Sequence, residues 1–172
     1  MVQELIDLRQ SIVEGRYQDA LDIVDELEGM GKQAILRNLE SFLVRLLIHL
    51  IKNKVEKRLT NSWAASIADS IRQIKKLNLK DNKKSYYIPQ NDWSEYLAEA
   101  LEVAILEASI EVSGGVYTPI QLEEIVNQKQ ITEIALSLID LTYQYSAQDL
   151  LSVVRKHFIN LPGGKEWLER RV

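Results

Sequence analysis

Apolar residues recur three and four positions apart along nearly the whole chain, a spacing that lines them up on one face of a helix. Leu5, Leu8 and Ile12 mark a first helix, closed by Gly15. A second runs through Leu21, Val24 and Leu27 to Gly29, antiparallel to the first. From Lys32 to Leu59 the apolar line widens, with Ile35, Leu39, Phe42, Leu43, Leu46, Leu47, Leu50 and Ile51 on one broad face of a long helix. Asn38, Ser41, Arg45, His49, Lys52 and Glu56 fall on a polar stripe of that same helix.

Asn61 or Ser62 is placed to cap a fourth helix carrying Trp63, Ile67, Ile71, Ile74 and Leu77. A polar linker covers Lys80 to Asn91. Asp92, with Glu95 three residues on, starts a fifth helix through Trp93, Leu97, Leu101, Ala104, Ile105 and Ala108 to about Gly114. Thr118-Pro119-Ile120-Gln121 is a strong start signal for a short helix: a hydroxyl cap, proline at the first helical position and glutamine at the third. Ile131 to Tyr143 and Ser146 to about Phe158 give two more, and Pro162-Gly163-Gly164 breaks the chain before a turn through Trp167. No alternating strand pattern of useful length occurs. These elements predict an all-α fold: an antiparallel multi-helix bundle with a long central helix and a C-terminal helical extension. The expected organisation is one helical domain over 1–172, with a core bundle at 1–130 and the extension at 131–172 packed on it.

Several segments, in this order, resemble a known family. Gly15-Arg16-Tyr17 precedes the acidic stretch Asp25-Glu26-Leu27-Glu28, which ends at Met30-Gly31. Glu40-Ser41 leads to Leu46-Leu47-Ile48-His49-Leu50-Ile51-Lys52. Ser62-Trp63 is followed by Ile67, Ile71-Arg72 and Ile74, and Trp93 opens a helix rich in alanine and glutamate. Tyr117-Thr118 with Gln121-Leu122 is similar to the family's closing motif. The resemblance is to the bacterial, largely cyanobacterial, domain-of-unknown-function family twenty-nine, over roughly residues 1–130. It implies a helical fold and a bacterial origin, and it brings no established activity. Where the family often has a cysteine-proline pair before the tyrosine, this chain has Gly115-Val116.

Composition narrows the chemistry. With no cysteine, disulfides, thiolate nucleophiles and zinc–cysteine sites are excluded. The most apolar run, Phe42 to Ile51, is interrupted by Arg45 and His49 and is too short to span a membrane. No secretory segment is visible at the N-terminus, so the expected location is the cytoplasm. Neither glycine pair has the strand and spacing of a phosphate loop, and no cofactor or metal is expected. Glu107 and Glu111 lie one turn apart, but the Glu-x-x-His motifs of a di-iron bundle are missing. Ser62, Ser66 and Ser70 have no histidine nearby in sequence to activate a nucleophile.

Charge is strongly segregated although the net charge is only −4. Residues 45–84 carry 11 Lys or Arg against 3 Asp or Glu, whereas residues 85–149 carry 1 against 11. Two readings follow. Arg72, Lys75, Lys76, Lys80, Lys83 and Lys84, with Trp63, Tyr86 and Tyr87 to stack on bases, would form a nucleic-acid face. Alternatively, the fourth and fifth helices form a hairpin in which Lys75 and Lys76 face Glu95 and Glu99. Arg45 and His49 share a helix face and invite comparison with helical ribonucleases of toxin systems, as phosphate clamp and general base; the favoured reading is a polar stripe on a long amphipathic helix, with His49 packing at the bundle rim. Trp63 and Trp93 are expected as core anchors. Trp167, on a basic tail from Lys165 to Arg171, either docks on the bundle or meets a partner. The favoured function is a non-enzymatic interaction module. It would bind a protein partner, or a second copy as a homodimer, through Leu138, Leu141, Leu150 and Val154 of the C-terminal helices, with Trp167.

Overall fold

Local caps and apolar spacing together set the elements. A computed structural model describes residues 2–170. Among them are eight α-helices, two short 3-10 turns, no β-strand, and one isolated antiparallel bridge between Leu79 and Tyr86. No helix is long and apolar enough to cross a membrane. The chain divides into two compact units, Met1–Asn38 and Leu39–Val172.

The first unit contains α1 (Val2–Val13) and the N-terminal part of α2 (Tyr17–Glu56). The turn between them is a Schellman motif. Gly15 takes a left-handed φ of +72° and its N–H donates to the Ile12 carbonyl, while the Arg16 N–H donates to that of Ser11. The helix break expected at Gly29 and Gly31 is absent, and α2 continues through both. Each glycine costs about 1 kcal/mol relative to alanine in a helix. Neither adopts positive φ, however, and good helix formers on both sides carry the helix through. Glycine ends a helix where left-handed backbone is required, as at Gly15, and merely weakens it elsewhere.

The second unit begins within α2, which buries Leu39, Leu43, Leu46, Leu47, Leu50 and Ile51. α3 (Asn61–Asn78) is capped by Thr60, whose hydroxyl accepts from the Trp63 N–H; the cap lies one residue before the expected Asn61 and two before Ser62. α3 packs against α6 (Gln128–Gln144) and α7 (Ala147–His157), while α4 (Trp93–Glu111) packs against α5 (Pro119–Ile125) and α6. Helices beyond residue 131 therefore share a core with α3 and α4. Thr118 and Gln121 form the expected capping box at α5, and the Ser146 hydroxyl caps α7 through the Asp149 N–H. Asp92 stands at the cap position of α4, but its carboxylate makes no cap hydrogen bond. α8 (Gly164–Glu169) folds back on the 3-10 turn Phe158–Asn160.

The linker read as polar is tied down by a buried network that sequence reasoning missed. The Asn78 side chain accepts from the Ile88 N–H at 2.7 Å and donates to the Ile88 carbonyl at 2.9 Å and to the Tyr143 hydroxyl at 3.0 Å. That hydroxyl donates to the Ile88 carbonyl and accepts from the Trp93 indole N–H, both at 2.6 Å. Both backbone groups of Ile88, which lies outside any helix, are satisfied by one amide side chain. With them the linker seats Ile88 in the core between α3, α4 and α6.

Candidate functional site

The polar stripe of α2 is built into the second unit. The Arg45 guanidinium donates to the Asp69 carboxylate at 2.9 Å and to the Ser66 hydroxyl at 3.4 Å, both on α3. Burial pushes the Asp69 carboxyl up, but the hydrogen bonds and charges of Arg45 and Arg72 outweigh it and hold it below the usual carboxylate range. His49 is half-buried, with Nδ1 2.8 Å from the Arg45 carbonyl. That contact requires the proton on Nδ1 and leaves Nε2 as the acceptor of the neutral ring. Burial is the main cause that depresses the His49 pKa. Lys52 and Arg45 push the same way, while the carbonyl and Glu111 oppose it. Lys52 is buried and ion-pairs with Glu111 of α4. The stripe thus ties α2 to α3 and α4, and two nitrogens of Arg45 are already engaged. Among the described residues, no three histidine or carboxylate side chains come together to hold a metal ion.

The basic segment does not pair as the hairpin reading expects. Lys75 turns to α6 and donates to the Thr142 carbonyl at 2.6 Å, and burial lowers its pKa. Neither it nor Lys76 forms an ion pair with Glu95 or Glu99 among the described residues. The reason is topological: α3 packs on α6 and α7, which places other neighbours beside its last turn. The segment is no open stripe either. Arg72 ion-pairs with Asp69, and Lys80 lies over the Tyr87 ring at 5.4 Å. Tyr86 stacks edge-on against Tyr143, and Arg58 covers Trp63. Lys76, Lys83 and Lys84 are exposed and make no ion pair among the described residues.

The C-terminal candidates are core. Leu138, Leu141, Leu150 and Val154 are all buried, because α6 and α7 turn these positions toward each other and toward α3. Trp93 is buried as expected. Trp167 docks on its own unit, its ring edge-on to Phe158 with centroids 5.6 Å apart and its indole N–H donating to Asn61 Oδ1 at 2.7 Å. Arg171, the end of the expected basic tail, lies outside the described residues.

With the stripe, the buried network and the capping box of α5 in place, the comparison with known families is decisive. The model of the family described as domain of unknown function DUF29 matches residues 6–131. The chain belongs to this family. No curated protein and no solved structure matches the chain. The DUF29 span takes in Arg45, His49 and the whole basic segment, and it ends at the first turn of α6.

Two apolar surfaces of this DUF29 chain escaped the sequence reading. On α1, Val2, Leu5, Ile6, Ile12 and Val13 are exposed, with Arg9 among them, and they line an open groove. Leu8, half-buried, lines the same groove at its edge, and the covered face of α1 is the one that bears the buried Ser11. On α4, Val103, Leu106 and Ile110 form an exposed row continued by Ile120 of α5, with Ile110 75% and Ile120 70% exposed. The signal for the second was available: Val103, Leu106 and Ile110 stand among the glutamates of α4, on the side opposite its buried row Leu97, Leu101, Ala104 and Ala108.

Proposed function

We propose that this chain is a non-enzymatic, cytoplasmic bacterial interaction module that binds a protein partner through its N-terminal helical hairpin. The observation that carries the reading is the inverted amphipathicity of α1. Its richest apolar face, at positions 2, 5, 6, 12 and 13, is exposed, while the face bearing Ser11 is covered. A unit of under about 40 residues buries too little surface to be stable alone without disulfides, metals or association. This one has no cysteine, and among its described residues the buried side chains are those of Ser11 and Ala20. An exposed i, i+3, i+4 row is the form in which a helix enters a partner's groove.

The test is recovery of bound protein from the producing cells with the natural chain and with a Leu5→Asp, Ile12→Asp variant. Both positions are exposed, so the melting temperature should stay within about 3 °C of the natural value. The expected result is a protein that co-purifies in stoichiometric amount with the natural chain and is lost from the variant. Identical recovery with both chains, or none with either, would overturn the reading.

Nucleic-acid binding is the second reading, and the free lysines 76, 83 and 84 favour it. Three cations on one end of a helix and its loop support only weak, salt-sensitive binding. RNA cleavage by Arg45 and His49 has less support, since Asp69 and Ser66 already hold the guanidinium. Fluorescence anisotropy with single- and double-stranded RNA and DNA should show no binding at ~200 mM salt and at most weak binding at ~50 mM. Tight binding at ~50 mM, abolished by Lys76→Ala, Lys83→Ala and Lys84→Ala together, would instead establish the nucleic-acid reading.

A further inference from the structure

The second unit carries two exposed apolar faces of opposite charge. One is a groove of about 600 Å³ between α4, α5 and the start of α6, lined by Leu106 and Ile120 and flanked by Glu102 and Glu123, with Lys129 at one edge. Of the seven glutamates that α4 and α5 hold, with no lysine or arginine, Glu102 and Glu123 line the groove. Glu111 alone among the seven is engaged by a cation, Lys52, among the described residues.

The other face lies on α7 and its continuation. Leu150 and Val154 point into the core, leaving Leu151, Arg155 and Ile159, four residues apart, on the outside with Lys156. Leu168 of α8 extends it, and the hollow among Ser152, Arg155, Lys156, Ile159 and Leu168 is lined by two cations and no carboxylate; Leu151 lies beside it on the flank that Arg155 shares. Neither Arg155 nor Lys156 forms an ion pair among the described residues. The two hollows share no lining residue, so they are separate surfaces of one unit.

We infer that the acidic groove of α4 and α5 receives the basic face of α7 from a second copy of this chain. The match has two parts. Leu151 and Ile159 are spaced to lie along one ridge, and Leu106 and Ile120 line the groove that such a ridge packs against. Arg155 and Lys156 then come level with Glu102 and Glu123, which sets the register and disfavours pairing of either face with itself. The contact is heterologous: each copy offers one face and accepts the other. Association therefore continues head to tail until a ring closes or a filament grows. It stands apart from the hairpin reading, since none of its residues belongs to the first unit.

Sedimentation equilibrium of the full-length chain tests it, with a parallel series in the Leu5→Asp, Ile12→Asp background to remove association through the hairpin. An interface of two short helices lies at the small end of specific contacts, so the measurement should run from about 10 µM to about 1 mM. The weight-average mass should rise at least twofold in both backgrounds. It should fall back toward the monomer as salt goes from about 50 to about 500 mM. Leu106→Glu and Ile159→Glu, both at exposed positions, should each leave a folded monomer. Mixed together, they should form a one-to-one dimer and nothing larger, because each keeps the face the other lacks. Glu102→Lys with Glu123→Lys should abolish association and regain it against Arg155→Glu with Lys156→Glu. A chain that stays monomeric throughout, association indifferent to these changes, or a failed mixture would overturn the inference. So would a monomeric chain whose groove binds a synthetic basic amphipathic peptide, since the groove would then serve a different protein.

Discussion

Replacing Asn78 by alanine will destabilise the unit Leu39–Val172 by about 3 kcal/mol, since each buried polar group left unpaired costs about 1–3 kcal/mol. The Ile88 N–H loses its Asn78 acceptor, and the Tyr143 hydroxyl loses one of its two donors. The Ile88 carbonyl keeps Tyr143 as a donor, which limits the damage. Urea denaturation of the full-length chain reads the effect, with Gln90→Ala on the same linker as an exposed control. Tyr143→Phe should cost about 2 kcal/mol by leaving the Trp93 indole N–H without its acceptor. The two changes share partners, so the double variant should lose less than the sum by at least about 0.5 kcal/mol. An Asn78→Ala midpoint equal to that of Gln90→Ala would mean that the linker is held by Ile88 burial alone.

Gly164→Ala is the second large effect. A Cβ at Gly164 would lie 1.6 Å from the Phe158 carbonyl oxygen and 2.7 Å from its carbon, where only backbone can yield. Overpacking of this kind costs about 3 kcal/mol or more. The chain can meet it by unfolding earlier or by releasing α8. Release would free Trp167 from Phe158 and Asn61, so tryptophan fluorescence recorded beside the denaturation curve separates the two responses. Unchanged stability and unchanged fluorescence would show that the close approach does not exist. Gly31→Ala makes the contrast: it is mid-helix with nothing within 4 Å of a Cβ, so alanine should stabilise by up to about 1 kcal/mol. One residue type in one chain thus gives opposite signs, decided by what stands beside it.

The same contrast marks the limits of a sequence reading. Helix class, the capping box at Thr118 and Gln121, the cap at Ser146 and the Schellman glycine at Gly15 are local. Each depends on side chains within about five residues of the backbone groups they satisfy. The break expected at Gly29 and Gly31 failed because glycine composition was taken as backbone conformation, and only positive φ makes glycine a terminator. The family match at residues 6–131 was legible for a different reason: the order of packing residues along the helices survives as a pattern without any knowledge of what each one touches.

Positions that depend on partners far along the chain were not legible. Leu138, Leu141, Leu150 and Val154 have the same spacing whether a helix faces a core or a partner, and only the packing of α6 and α7 on α3 puts them inside. Lys75 is basic by sequence, yet its partner is a backbone carbonyl 67 residues away. Nothing in the sequence singles out Asn78, because the partners that give its amide a role, Ile88 and Tyr143, lie 10 and 65 residues further along the chain. Sequence alone determined that the chain is helical, where most helices begin, and which family it belongs to, because those rest on short-range hydrogen bonding and periodicity. Tertiary structure decided which apolar rows are buried and which charges are free. Burial and ion pairing are properties of the neighbours a helix acquires, and periodicity marks a face without naming what covers it.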